Sequence, residues 1–212
     1  LVHEIKNPLT VIKLAKDSIR YCNAGANQEM ECNLKQIEDS TERIHKTILN
    51  TLNFAKVVPS GQEKLDLKAV VANSIELCRH KTKLKNIQLT FECASQRAEI
   101  VGNASQIEQV MINLISNAIH SIPEGRDGLI KVELGVTDSL ICCTIQDNGC
   151  GMSEELIANI FEPFFTTKSQ SGGSGLGLSI CQAIISQHNG SINCRSKLGE
   201  GSAFTVNFGR AG

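Results

Sequence analysis

Glycine divides this chain. Residues 1–57 hold one glycine, Gly25, and one proline, Pro8, while the other sixteen of its 17 glycines come later. A stretch that poor in the two strongest helix breakers is suited to long helices. Its apolar spacing points the same way. Leu34, Ile37, Thr41, Ile44, Ile48, Leu52 and Ala55 recur every three or four residues, as do Ile5, Leu9, Ile12, Ala15 and Ile19. That is the period of one helical face. Asn23-Ala24-Gly25-Ala26-Asn27 interrupts it and reads as a turn. The pattern predicts two antiparallel helices over 1–57. A lone hairpin cannot bury both stripes, so a second hairpin is expected against it, making a four-helix bundle across a homodimer.

Residues 58–64 read as a linker, with Val58-Pro59-Ser60-Gly61 at its start. From residue 65 the texture is mixed. A short strand at 65–67, a helix to about 82 and an alternating strand at 87–91 come first. A helix over 103–121 follows, with Ile107, Val110, Met111, Leu114, Ile115 and Ala118 on one side. Strands at 129–136 and 140–146 flank Thr137-Asp138-Ser139; a helix at 175–188 and a hairpin of 191–196 with 202–208 close the chain. Strands and helices do not alternate strictly, so 65–212 is expected to be a two-layer α/β sandwich rather than a doubly wound sheet.

Composition narrows the function. The chain is 212 residues long with a formal charge of −1 and 4% aromatic residues, none of them Trp. Residues 1–60 carry eight basic and seven acidic groups, the remainder thirteen and fifteen. No general basic field or aromatic stacking surface is present, so a nucleic-acid partner is not expected. No apolar run is long enough for a transmembrane helix, so no membrane contact is expected of this stretch. The nine cysteines show no metal-ligand spacing and read as small buried hydrophobes in a reducing compartment. Cys150 stands apart because it lies within a glycine-rich turn.

Four short segments carry chemistry. In His3-Glu4-Ile5-Lys6-Asn7-Pro8, His3 and Asn7 share a helical face, and Pro8 would bend the helix beside them. Asn113 and Asn117 also lie four apart, where amide oxygens could hold a hard cation or water. Asp147-Asn148-Gly149-Cys150-Gly151 brings an acid to a sharp turn. Phe161-Glu162-Pro163-Phe164-Phe165-Thr166-Thr167-Lys168 precedes Gly172-Gly173-Ser174-Gly175-Leu176-Gly177, whose glycines lead straight into a helix. Free N–H groups at a helix start bind phosphate, although the Walker pattern is absent. Taken singly, each segment is equally compatible with a solvated face, a turn or a linker.

Together and in this order they identify a family. The chain resembles the catalytic core of a two-component sensor histidine kinase over essentially all of its length. The His3 segment is similar to the phosphoacceptor box, Asn113–Asn117 to the asparagine box and Asp147–Gly151 to the first glycine box. Phe161–Phe165 is similar to the phenylalanine box, Gly173–Gly177 to the second glycine box, and Gly199-Glu200-Gly201-Ser202 to a further glycine turn. The wording of the last boxes is similar to the nitrogen-regulator-like branch.

The resemblance implies a dimerisation and phosphotransfer hairpin over 1–57 and an ATP-binding domain of the gyrase, Hsp90 and histidine kinase type over 65–212. His3 would accept the γ-phosphoryl group of ATP, with Glu4 orienting the ring and taking its proton. Asn7 would orient a hydrolytic water in a phosphatase reaction. Asp147 would accept a hydrogen bond from the adenine amino group. Asn117, with Asn113 beside it, would help hold Mg²⁺. Gly149, Gly151, Phe161, Thr167, Lys168, Gly173, Ser174, Gly175, Leu176 and Gly177 would contact the nucleotide, with the phenylalanine box and 166–174 as a mobile lid. His120 stands where relatives vary, so no phosphate contact is assigned to it. The expected partners are a second copy of the chain and the receiver domain of a response regulator, in the cytoplasm. A different ATPase of the same fold is the rival reading, and the His-Glu box argues against it. Helix one, about 22 residues or roughly 33 Å, is shorter than helix two at roughly 45 Å. About eight or more further helical residues and a sensor are therefore expected before Leu1; the alternative is that the last turns of helix two pack on the ATP-binding domain.

Overall fold

A computed structural model describes residues 61–211 except 94, 96 and 168–174, together with positions 12, 14, 19, 30, 34, 35, 37–39 and 41. Those early positions are all helical. The hairpin turn and the dimeric bundle lie outside the described residues.

The described domain runs β1 (Glu63–Asp66), α1 (Leu67–Leu84), β2 (Ile87–Cys93), β3 (Glu99–Gly102), α2 (Ala104–Ser121), β4 (Gly128–Val136), β5 (Leu140–Asp147), α3 (Glu154–Ile157), α4 (Gly177–Gln187), β6 (Ser191–Lys197) and β7 (Gly201–Gly209). Every strand and helix anticipated after residue 64 is present, with most ends moved by one or two residues. Glu63 and Lys64, read as linker, instead open β1. The strand β3 and the single turn α3 were not anticipated. Neither is long enough to show a period; β1 and β3 exist as strands because they pair with each other, Glu63 opposite Gly102 through Asp66 opposite Glu99.

Five strands form the main sheet in the order β2-β4-β5-β7-β6. β2 and β4 are parallel, and the other neighbours are antiparallel. The parallel pair requires a crossover, which β3 and α2 supply. All three long helices lie on one face, with α2 between α1 and α4. Strand alternation explains why. Ile130, Val132 and Leu134 of β4, Ile141, Cys143 and Ile145 of β5, and Phe204, Val206 and Phe208 of β7 are buried. Their neighbours on the opposite pleat, such as Lys131, Thr144 and Thr205, are only half-buried. Against this face α2 presents Ile107, Val110, Met111, Leu114, Ile115, Ala118 and Ile119, all buried. Each such aliphatic side chain stabilises the fold by about 1.5–3 kcal/mol through removal from water.

The helix starts follow local chemistry. Asp66 caps α1 by accepting from the Lys68 N–H at 3.0 Å, and Asn103 caps α2 by accepting from the Gln106 N–H at 3.0 Å. At the far end of α4, buried His188 joins the two layers. Its Nε2 accepts from the Asn103 N–H at 2.9 Å, and its Nδ1 lies 2.7 Å from the Ile184 carbonyl. Gly102 permits that contact, because a Cβ there would come within 2.6 Å of the His188 ring.

Candidate functional site

The buried pleat of β5 runs Ile141, Cys143, Ile145 and then Asp147. Period-two alternation therefore places a carboxylate on the helix-facing side at the end of the strand, beneath the last turn of α2. Asp147 is 5% exposed. A carboxylate at such a depth requires hydrogen-bond partners. Its Oδ1 lies 2.8 Å from Ser121 Oγ and accepts from the Gly149 N–H at 2.8 Å. The single hydroxyl proton of Ser121 has a second acceptor, the Ala118 carbonyl at 2.8 Å. Gly149 is required at this turn: a Cβ would come 2.1 Å from Ser121 Oγ and 2.7 Å from the carboxylate.

The loop after Asp147 is fastened on every side. The Cys150 N–H donates to the Ser121 carbonyl at 2.9 Å, and the Gly199 N–H donates to the Cys150 carbonyl at 2.7 Å. The Met152 N–H donates to Ser196 Oγ at 2.8 Å. Gly151, at φ 63°, sits so close to β6 that a Cβ would lie 1.9 Å from the Lys197 carbonyl. The glycine turn 199–201 thus has a structural task, which is to let the ends of β6 and β7 lie against this loop.

Above the loop opens a cavity of about 340 Å³. Asn117 and Ser121 of α2 and Asp147, Cys150, Gly151 and Met152 of the loop form its floor. Ser202 and Phe204 of β7, with Leu156 and Ile160, form a side wall. Phe165, Thr166, Thr167, Gly175, Gly177 and Leu178 complete the lining. Asp147 is the only carboxylate among these residues, and no Lys or Arg lies with it. The cavity suits a flat, mostly apolar ligand with a hydrogen-bond donor at its carboxylate end. Gly177 and Leu178 begin α4, where no side chain caps the helix. Unpaired N–H groups and the positive dipole end make such a helix start a place for phosphate.

Of the residues anticipated from sequence, Asn117, Asp147, Gly151, Thr167, Gly175 and Gly177 meet on this cavity. Asn113, Gly149, Phe161 and Leu176 lie behind its wall. Asn113, one turn earlier on α2, is half-buried and does not line the cavity. Gly149 packs under the carboxylate, Phe161 is partly buried against the core, and Leu176 is buried at the helix start. His120 is exposed and lies 3.4 Å from Ser116 Oγ, away from the cavity. His3, Glu4, Asn7, Lys168, Gly173 and Ser174 lie outside the described residues.

Sequence reasoning missed Ser121, and it placed Phe165 only in the lid. Ser121 was open to discovery, since 113, 117 and 121 are spaced by four and share a helical face. Phe165 was inside a recognised motif, but which of its three Phe side chains reaches the cavity depends on Phe164, whose φ of 67° reverses the backbone there.

The field of Asp147 is felt nearby. Burial, and after it the charge of Asp147, push the Cys194 thiol up to about 12. Burial likewise pushes Cys143 and Cys181 up to about 12, so both stay protonated at neutral pH. Cys150, by contrast, is exposed. Among the described residues no helix is long and apolar enough to cross a membrane.

Comparison with known proteins agrees with this geometry. Residues 102–211 match the family model of the histidine kinase-, DNA gyrase B- and HSP90-like ATPases. The chain is 34% identical over 209 residues to the sensor histidine kinase ZraS of Salmonella typhimurium, covering 97% of this chain and 43% of that protein. It thus spans less than half the length of the curated relatives it matches most strongly. The catalytic domain of histidine kinase ThkA superposes with a TM-score of 0.64 at 31% identity, covering 71% of this chain and 99% of that one. ThkA solved in complex with response regulator protein TrrA superposes with a TM-score of 0.73 at 27% identity, covering 99% of this chain and 59% of that one. With its buried aspartate, glycine-bound loop and uncapped helix around one cavity, the chain belongs to the histidine kinase-, DNA gyrase B- and HSP90-like ATPases and carries the catalytic core of a two-component sensor histidine kinase.

Proposed function

We propose that this chain binds ATP in the cavity at Asp147, phosphorylates itself on His3 and passes the phosphoryl group to an aspartate of a response regulator. The observation that carries the reading is one pinned carboxylate and a helix start without a side-chain cap lining the same apolar cavity. A purine needs an acceptor for its amino group at one end, and a triphosphate needs N–H donors at the other.

The chemistry follows from the residue types. A neutral imidazole is available near pH 7, since an unperturbed histidine titrates near 6.5. A ring nitrogen of His3 forms the new P–N bond as the bond from the γ-phosphorus to its bridging oxygen breaks and ADP leaves. Glu4 takes the proton from the other ring nitrogen. Phosphoryl transfer needs chiefly alignment and charge neutralisation, which Lys168, Thr167 and the amides of 173–177 would provide. Asn117 would offer one amide oxygen to Mg²⁺. Among the described residues no three His, Cys, Asp or Glu side chains converge as a metal site. The ion would therefore be held mainly through phosphate and water oxygens, as Mg²⁺ prefers; it would neutralise phosphate charge.

The same His3 face suits a receiver domain, with Asn7 placed to orient water for dephosphorylation of that partner. The amphipathic hairpin over 1–57 would pair with that of a second copy, and the assembly would work in the cytoplasm as part of a longer receptor. Incubation with γ-labelled ATP and Mg²⁺ tests the reading. Acid-labile, base-stable label is expected on the wild-type protein. Chelation of Mg²⁺ and the substitution His3→Gln should each abolish it. Undiminished label on His3→Gln would refute the assignment of His3.

A further inference from the structure

Arg126 lies outside every motif of the sequence, in the exposed turn between α2 and β4. Its guanidinium reaches three main-chain carbonyls. Nη1 donates to the Asn148 and Gly149 carbonyls, both at 2.8 Å, and Nη2 donates to the Gly199 carbonyl at 3.2 Å. Nη1 carries two hydrogens, one for each carbonyl, and the planar fork holds the third in register.

The two carbonyls on Nη1 belong to successive peptide planes. In a trans peptide the C=O and the N–H point to opposite sides, and no cis bond occurs among the described residues. Fixing the Asn148 carbonyl therefore aims the Gly149 N–H, which donates to Asp147 Oδ1 at 2.8 Å. Fixing the Gly149 carbonyl aims the Cys150 N–H, which donates to the Ser121 carbonyl at 2.9 Å. Ser121 in turn lies 2.8 Å from the same carboxylate oxygen through its hydroxyl. The third contact ties this pair of planes to the turn between β6 and β7. Neighbouring bonds support the same loop: Asn148 Nδ2 donates to the Asp127 carbonyl at 2.9 Å, and its Oδ1 accepts from the Leu129 N–H at 2.8 Å.

We infer that Arg126 is a positioning residue for base recognition: through two peptide planes it sets the orientation of the Asp147 carboxylate and hence the preference for adenine. This rests on the nucleotide reading of the cavity. Arg126 touches neither the cavity nor any reacting atom. Its effect is carried wholly by the direction of two N–H groups.

Two variants and two measurements test it. In nucleotide-free protein, Arg126→Ala should speed hydrogen exchange at the amides of Gly149 and Cys150 while leaving α1 unchanged. In binding, Arg126→Ala should raise the Kd for ATP about tenfold and leave weak GTP binding within about twofold, so the ATP-over-GTP preference falls about tenfold. Arg126→Lys should resemble the alanine variant, because one ammonium cannot span three carbonyls. Thermal midpoints should stay within a few degrees of wild type. Unchanged exchange at 149 and 150 would overturn the inference. So would faster exchange with unchanged base preference, which leaves the nucleotide reading intact. Full rescue by Lys would overturn it as well, by reducing the role to bulk charge. Wild-type protein with no preference for ATP over GTP would overturn the adenine assignment of Asp147, and this inference with it.

Discussion

The two sides of the cavity are built differently. On the floor, Asp147, Ser121, Gly149 and Cys150 are joined by hydrogen bonds among themselves, to Arg126 and to the turn at Gly199. Among the described residues of 164–177, backbone conformation also shapes the lining. Phe164 and Gly175 both adopt positive φ, at 67° and 68°, and they touch so closely that a Cβ on Gly175 would lie 2.4 Å from the Phe164 carbonyl carbon. Phe164 itself is 65% exposed. A hydrogen-bonded floor holds one geometry before a ligand arrives, whereas Phe164, a non-glycine residue at positive φ, carries local backbone strain. On the proposed reading, base selection belongs to the floor and phosphate binding to the segment around Gly175 and Gly177.

Removing the floor's carboxylate should have the largest effect on binding. Asp147→Ala deletes a charge-assisted acceptor and leaves Ser121 and Gly149 without it. ATP affinity is expected to fall by about two orders of magnitude, near 2.7 kcal/mol. Titration calorimetry reads this directly, and an unchanged Kd would remove Asp147 from base recognition.

The same substitution made on each side sharpens the contrast. Gly151→Ala forces a Cβ against the Lys197 carbonyl in the best-fastened loop and should destabilise the domain by about 3 kcal/mol. Gly175→Ala meets a less severe contact, 2.4 Å from the Phe164 carbonyl carbon against 1.9 Å at Gly151. It should lower ATP affinity about tenfold while costing less stability, about 2 kcal/mol. Equal losses of thermal midpoint would erase the distinction between the sides.

Gly177 separates the ligand from the fold. A Cβ there meets nothing within 4 Å, and the residue opens α4. Gly177→Ala should therefore stabilise the folded protein by roughly 0.5 kcal/mol, by helix propensity and a less flexible unfolded chain. Yet it should weaken ATP binding, because the methyl group would occupy space at the helix start that phosphate needs. A raised midpoint with undiminished binding would place the phosphates elsewhere.

The smallest effect concerns the layer behind the floor. Cys143 and Cys181 have thiols pushed up to about 12 by burial. Below pH 9 the thiol stays protonated in both folded and unfolded chains. Between about 9 and 12 the unfolded chain releases protons that the folded chain keeps, so stability declines as pH rises through that window. Chemical denaturation at a series of alkaline pH values should show the decline, reduced in a Cys143→Ala, Cys181→Ala variant. At neutral pH a thiol alkylating agent should label Cys150 in the folded protein and spare these two, with ATP protecting Cys150.

Much of this architecture was legible from local pattern. The three-four spacing over 103–121 and the alternation over 140–146 each bury one face of a regular element, so periodicity alone marks them. Asp147 and Gly151 were marked by the turn they form, and Gly175 and Gly177 by their entry into a helix. The strand β3 escaped because four residues carry no period; only its pairing with β1 makes it a strand. Asn113 resembled Asn117 in sequence, yet only Asn117, one helical turn later, lines the cavity. Phe161 and Phe165 were likewise alike until the reversal at Phe164 separated them.

By itself, then, the sequence determined the long helices and strands after residue 64, because each is written in spacing within a short window, and the order of the motifs, whose resemblance pointed to the family. Tertiary structure alone decided which of those residues share a wall, and it recruited Ser121 and Arg126. Their contacts to Asp147, Asn148 and Gly149 join positions 22 to 26 residues apart. Contacts of that kind depend on where α2, its following turn and β5 are carried by the packed sheet, and no local period records them.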